Sequence, residues 1–252
     1  MTTVQSKTIL ISLIGKPGSG KGTYGKLLAS RYKNLTFLSV GDVLRDSVTR
    51  NESLRSILTS GKLVDDSVVN KAVIESLQDE NLQSLKSQIH NISDAKILND
   101  GREHVIIDGF PRTESQTKLI SKWPNTLEPA LAIYFDVPDD IVIKKLLGRR
   151  KCTICGGNFN VHGVDQQGWD MPPILPKNDC EGICNWDTDW EKRDDDTADI
   201  IKERMTVFRK ETEPVLDSWR SRLFTFVPYK GVNEMDRLSN VLENYFHKHS
   251  FT

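Results

Sequence analysis

The sequence predicts an α/β fold with a parallel sheet, and three observations predict it. Short apolar runs alternate with helical patterns along most of the 252 residues. The first apolar run, Thr8 to Ile14, enters a glycine-rich loop from Gly15 to Thr23, and a helical pattern from Tyr24 to Tyr32 leaves it. A third run, His104 to Ile107, ends on Asp108, an acid at the carboxyl end of a strand, where open parallel sheets hold their ligands.

Composition narrows the function classes. Hydrophobic residues make up 37% and charged residues 27%, ordinary for a globular chain with a sizeable core. The formal net charge of -1 provides no basic field for nucleic acid. No apolar run approaches the roughly 20 residues of a membrane span. Met1 to Lys7 is short and polar and does not read as a secretory signal. A reducing cytosol is therefore the expected compartment, with an organellar form left open.

The loop Gly15-Lys16-Pro17-Gly18-Ser19-Gly20-Lys21-Gly22-Thr23 has the composition that phosphate binding requires. Glycines bring backbone N–H groups close to phosphate oxygens, and the helix N-terminus adds partial positive charge. Lys21 adds a full charge. Gly22 stands where Ser or Thr usually follows the lysine, so the hydroxyl comes one residue later, at Thr23.

Leu35 to Val40 reads as a second strand, with Gly41-Asp42 as a turn into a helix carrying Val43, Leu44 and Val48. Leu54 to Leu58 follows. Gly61 fits a helix C-cap, and Asp65 or Asp66 fits the N-cap of a helix bearing Val68, Val69, Val73, Ile74 and Leu77. Gln78 to Arg102 is polar and weakly periodic, and is expected to hold a surface helix from Leu82 to Leu98. After the third strand, Asp108 is placed to hold Mg2+ or its waters, and Arg112 offers a bidentate fork for phosphate. Ala130 to Asp136 is a fourth strand, and Pro138 should start the helix that ends at Gly148-Arg149-Arg150. A helix from about Asp196 to Trp219 should kink or restart at Pro214. Leu223 to Val227 is a fifth strand, and Asn233 to His247 a closing helix.

Between these elements, Lys151 to Lys192 is rich in Gly, Pro, Asn, Asp and Trp and holds all four cysteines: Cys152-x2-Cys155, then 24 residues, then Cys180-x3-Cys184. Two close pairs suit a tetrahedral four-thiolate zinc site that stabilises an insertion without a core of its own. Iron in the same cage, and disulfides or free thiols, are the other readings. Disulfides are disfavoured in a reducing compartment.

Together these residues resemble the adenylate kinases, nucleoside-monophosphate kinases, in the long-lid form with a zinc-bearing lid. The likeness covers nearly the whole chain. It is carried by Gly15 to Thr23, Gly41-Asp42-x2-Arg45, Gly61 to Val64, Asp108 to Thr113 with Gln116, Gly148-Arg149-Arg150, the four cysteines, and Arg193-x-Asp195-Asp196 with Arg204. The resemblance implies a P-loop five-stranded parallel sheet with flanking helices, a helical monophosphate-binding insertion and a small lid. The core would be residues 1–39, 100–151 and 194–252, the insertion 40–99 and the lid 152–193. The implied reaction is reversible, Mg2+-dependent transfer from ATP to AMP, giving two ADP, in a monomer with no nucleic-acid or membrane partner.

By position, the resemblance assigns Gly18, Ser19, Gly20, Lys21, Gly22 and Thr23 to the ATP phosphates, with Arg149, Asn158 and Phe159 over the nucleotide. Val40, Arg45, Lys62, Leu63, Val64, Gly109, Phe110, Pro111, Arg112 and Gln116 would line the AMP site, with Arg193 and Arg204. Lys21, Arg112, Arg149, Arg193 and Arg204 would surround the transferring phosphoryl group. Asp108 would hold Mg2+ through water, and Cys152, Cys155, Cys180 and Cys184 the structural Zn2+. The Phe110–Pro111 bond would be cis. Val40 stands where Thr is common near the acceptor adenine, Lys145 where Arg often stacks on the donor adenine, and Tyr24 where Gln is frequent. Residues 78–102 are longer than the usual connection. The loop Lys230-Gly231-Val232-Asn233 would approach the donor base.

Two other readings compete with this one. A GTP:AMP or UMP/CMP phosphotransferase differs only in base choice, and the long lid argues against the UMP/CMP form. A zinc-ribbon interaction module with a vestigial nucleotide pocket is a different class. The intact Lys21, Arg45, Asp108, Arg112, Arg193 and Arg204 argue against that module.

Overall fold

Strand β1, Thr8–Gly15, is apolar on both faces, as a central parallel strand must be. Ile9, Ile11 and Leu13 enter one core, with Leu28 and Phe246. Leu10 enters another with Val73 and Phe110, and Ile14 a third with Val215 and Trp219. The computed structural model describes residues 7–47, 52–78, 81–82, 85, 95–98, 100, 102–154, 156–176 and 188–248.

The first described half runs from β1 to α1 (Lys21–Arg31), β2 (Leu35–Ser39), α2 (Val40–Ser47), α3 (Glu52–Thr59), α4 (Asp66–Ser76), β3 (His104–Asp108), α5 (Glu114–Ile120) and β4 (Leu127–Phe135). Then come α6 (Asp139–Leu147), β5 (Arg149–Cys152), β6 (Asn158–Asn160), β7 (Val164–Gln166), β8 (Trp169–Met171), β9 (Trp190–Glu191), α7 (Ala198–Val207), α8 (Val215–Ser218), β10 (Leu223–Phe226) and α9 (Met235–Lys248). Five strands form one parallel sheet in the order β10-β4-β1-β3-β2. In this register Asp108 lies beside both Leu13 and Ser39, at the end of the sheet where β1 passes into the glycine loop.

Each strand and each major helix expected from the pattern is present, with differences at several element ends and a π turn over Phe208–Thr212 ahead of the break expected at Pro214. Helix α2 begins at Val40, so Gly41-Asp42 is its first turn rather than a linker. Strand β4 starts at Leu127, because its early residues pair with β1 across a bulge. Pro138 precedes the first turn of α6 instead of starting it. The surface helix does not reach Leu98. Lys96 forms a bridge with Tyr32, the Leu98 N–H donates to Asn34 Oδ1 at 2.9 Å, and Leu98 is 1% exposed in the main core. A polar segment with no apolar stripe takes its conformation from such tertiary partners. Most of that expected helix, and Val48, lie outside the described residues.

The segment from Lys151 to Lys192 does not stand alone. Gln167 and Gly168, both at positive φ, make the two-residue turn of the β7–β8 hairpin. Val164, Trp169 and Met171 of that hairpin share a core with Ile141, Val142 and Leu146 of α6 and with Ile201 and Met205 of α7. Burying each such side chain contributes about 1.5–3 kcal/mol, so the hairpin is anchored by the main body. Strands β5, β6 and β9 form a separate sheet in the order β6-β5-β9.

Candidate active site

Lys21 opens α1, and its N-cap Gly20, at φ 95°, provides no side-chain cap. The first N–H groups of the helix therefore remain directed at the loop. Lys21 Nζ donates to the carbonyls of Gly15 at 2.7 Å and Lys16 at 2.8 Å, with Ser19 Oγ at 3.4 Å. Withdrawal from water pulls the Lys21 ammonium down to about 8. Asp108 opposes this, while Arg112, Arg204 and Arg149 push the same way. The lysine thus sits in the field of three arginines and one carboxylate before any phosphate arrives.

The loop is shaped by close approaches. Gly18 has φ +84°, and a Cβ there would lie 2.6 Å from Leu146 Cγ of α6. A Cβ on Gly109 would lie 2.9 Å from Arg112 Nη2, so the Arg112 guanidinium lies across a bare backbone. The Phe110–Pro111 bond before Arg112 is cis, and Phe110 stacks on Trp123 at 5.3 Å. Arg112 is exposed, yet the protein packed around it withdraws its guanidinium in part from water. That withdrawal holds it below the usual guanidinium value, against Asp108.

The other arginines are held by carboxylates. Arg149 makes two bonds to Asp196, Nε to Oδ2 at 2.7 Å and Nη2 to Oδ1 at 2.6 Å. Arg204 lies 2.8 Å from Asp195 and 3.6 Å from Asp196. Arg193 Nη2 reaches Asn158 Oδ1 at 3.4 Å and Asp42 at 4.0 Å, and Arg45 pairs with Asp42 at 2.5 Å. Burial pulls Arg193 and Arg204 each down to about 10. Burial pushes Asp195 up, but Arg204, Arg149 and Arg193 outweigh it and hold the carboxyl low. Asp195 and Asp196, quoted above only as part of a motif, are the carboxylates that hold Arg149 and Arg204.

The residues expected at the acceptor gather nearby. Val40, Val64 and Phe110 are buried in one cluster with Leu44. Gly61 abuts the Arg204 side chain, which brings the Lys62-Leu63-Val64 segment toward the arginines. Lys62 is exposed and Pro111 buried. Gln116 is 1% exposed, and its amide is engaged at both ends, accepting from the Arg112 N–H at 2.7 Å and donating to Asp66 Oδ1 at 2.8 Å.

Of the residues expected over the donor nucleotide, Asn158 and Phe159 lie half-buried on β6. Lys145 is tied to the hairpin, donating to the His162 carbonyl at 2.9 Å and the Pro172 carbonyl at 3.4 Å, and burial pulls it down to about 8. Tyr24 is a core residue whose hydroxyl donates to the Gly231 carbonyl. Cys152 is buried at the end of β5, and Cys155, Cys180 and Cys184 lie outside the described residues. Among the described residues, no three or more His, Cys, Asp or Glu side chains gather as a metal site. No described helix is long and apolar enough to cross a membrane.

The chain is similar over most of its length to known proteins. A family described as an AAA domain matches residues 14–153. A protein of Plasmodium falciparum named GTP:AMP phosphotransferase is 34% identical over 242 residues, 93% of this chain and 96% of its own. A Chlamydia trachomatis protein named adenylate kinase is 34% identical over 219 residues, 85% of this chain and 80% of its own. A Clostridium botulinum adenylate kinase is 32% identical, covering 84% of this chain and 87% of its own. With such identity across most of both chains, the protein belongs to the family of adenylate kinases and GTP:AMP phosphotransferases.

Proposed function

We propose that Lys21, Arg112, Arg149, Arg193 and Arg204 carry the reaction of this nucleoside-monophosphate kinase. The reaction is phosphoryl transfer from ATP to AMP, giving ADP. The observation that carries the assignment is the field at Lys21, where three arginines and Asp108 converge at the mouth of the glycine loop. A loose phosphoryl transition state needs positive charge and alignment more than a base, because the acceptor is already an anionic oxygen. In the bound complex the phosphates take over Lys21 from the Gly15 and Lys16 carbonyls. The phosphates likewise take over Arg149 and Arg204 from Asp195 and Asp196.

Mg2+ accompanies ATP and spreads the phosphate charge. The donor set suits it, since Asp108, Ser19 and Thr23 offer hard oxygens around the loop. Zinc in the lid is the second metal of this reading. It is supported by the spacing of the four cysteines and by the tight turn after Cys152, whose N–H bonds the Gly157 carbonyl at 2.8 Å while its C=O accepts from Gly156 at 3.1 Å. Residues 152–193 act as the lid that excludes water, and residues 40–99 as the acceptor insertion. A reducing cytosol suits cysteines held as thiolates. AMP is read through the spare lone pair and spare N–H of Gln116, within the apolar wall of Val40 and Val64. A coupled assay of ADP formation across ATP and GTP as donors, and AMP, GMP, CMP and UMP as acceptors, tests the whole reading. ATP with AMP should be the best pair.

A further inference from the structure

Arg112 is held at its own peptide groups, on both sides, by two side chains. Its N–H donates to Gln116 Oε1 at 2.7 Å, and its C=O accepts from Thr212 Oγ1 at 2.9 Å. Both partners are buried, Gln116 at 1% and Thr212 at 6% exposure. These two bonds come from side chains and are not part of a helix or strand ladder.

The Gln116 amide can sit only one way. The Arg112 N–H requires an acceptor at one end. At the other, Nε2 donates to Asp66 Oδ1 at 2.8 Å, a carboxylate that only accepts when ionised. A flip would set donor against donor and acceptor against acceptor. The second oxygen of Asp66 takes the Thr113 hydroxyl at 3.0 Å, so Asp66 is fixed as well.

Thr212 arrives by an irregular route. Helix α7 carries Arg204 and passes into a π turn over Phe208–Thr212, closed by the Glu213 N–H on the Phe208 carbonyl at 2.9 Å. A regular helix would set Thr212 about 80° round from Arg204. The wider turn takes in an extra residue, and the Thr212 hydroxyl meets Arg112. Isolated π turns are frequent at functional sites.

We infer that Asp66 and Thr212 are positioning residues for phosphoryl transfer: with Gln116 they clamp the Arg112 peptide, which keeps the guanidinium aimed across Gly109. The inference rests on Arg112 acting at the transferring phosphoryl group. Side chains that merely tied a helix end to a loop would affect stability alone.

The test is a double-mutant cycle on the full chain. Thr212→Val keeps the shape and deletes the donor, Thr212→Ser keeps the donor, and each is made in the wild-type and Arg112→Ala backgrounds. Losing one such bond should lower kcat/KM for AMP about tenfold, with KM for ATP unchanged. Thr212→Ser should restore it. In the Arg112→Ala background Thr212→Val should have no further effect, since the group it positions is gone. If Thr212→Val does not fold, Asp66→Ala, which removes both acceptors, carries the same cycle. Equal losses in both backgrounds, or wild-type kinetics in the single variants, overturn the clamp. Wild-type kinetics in Arg112→Ala would instead overturn the role of Arg112 on which the clamp depends.

Discussion

Asp108 and Gly22 are in near contact: a Cβ on Gly22 would lie 3.2 Å from Asp108 Oδ2. A side chain after the loop lysine would crowd the carboxylate that ends β3. Gly22→Ala should displace Asp108 by a few tenths of an ångström. Since a misplacement of about 1 Å can cost about a hundredfold, kcat should fall about tenfold or less, and the Mg2+ dependence should shift to higher concentration. Steady-state kinetics across a Mg2+ titration check this. Unchanged kinetics would remove Asp108 from the metal's surroundings.

Lys21→Met removes the central charge while retaining the length of the side chain. Turnover should fall by about 10²–10³, and the melting temperature should not drop, because the ammonium is held below its ordinary value. Circular dichroism and the coupled assay on one preparation separate the two effects. A folded variant turning over at the wild-type rate would contradict the phosphate-loop assignment.

The pH dependence has a definite sign. In the free enzyme Lys21 titrates at about 8, below the ordinary 10.5. It is charged below that point and loses its proton as pH rises through it, so kcat/KM for ATP should fall above about pH 8. Stability moves the other way. Between about 8 and 10.5 the unfolded chain binds more protons than the folded one, so this group makes folding more favourable as pH rises. A profile of kcat/KM with its break near 8 checks the assignment, and the break should be absent in Lys21→Met.

Zinc content is the next expectation. Elemental analysis should find about one zinc per chain, from four thiolates. Chelation should lower the thermal stability of the lid more than that of the sheet. The β7–β8 hairpin should keep its place without metal, since Trp169 and Met171 are buried against α6 and α7. Four reactive thiols in the native, metal-free protein would contradict the zinc reading.

Val40 bears on acceptor choice. It is 2% exposed among Leu44, Val64 and Phe110, so Val40→Thr places a hydroxyl in an apolar wall. Without a bound base that costs about 1–3 kcal/mol of stability. With AMP bound, one new hydrogen bond should sharpen the preference over GMP, CMP and UMP by tenfold or less. Melting curves and kcat/KM ratios for the four acceptors measure the two effects separately.

What was legible in the sequence was what local pattern dictates. The glycine loop follows from its residues and flanks, and the five strands from apolar runs bounded by turns. The N-cap role of Asp65, whose carboxylate accepts the Ser67 N–H at 2.9 Å, follows from local chemistry alone. Features that depend on distant partners were not legible. Leu98 lies outside a helix, with its N–H held by Asn34, and the hairpin at Gly168 is seated by residues of α6 and α7. The π turn that brings Thr212 to Arg112 leaves no mark in the apolar period. The pairing of Arg149 with Asp196 could have been suspected from the adjacent Asp195-Asp196, since buried arginines need counter-charges.

The central claim is phosphoryl transfer to AMP, and the most direct measurement is the stoichiometry of ADP formed per ATP consumed by the purified, folded protein with Mg2+ and AMP. The account predicts two ADP per ATP, no ADP beyond background when AMP is omitted, and slower turnover with GMP, CMP or UMP. Release of inorganic phosphate at the same rate with or without AMP, or faster transfer to another monophosphate, would contradict it.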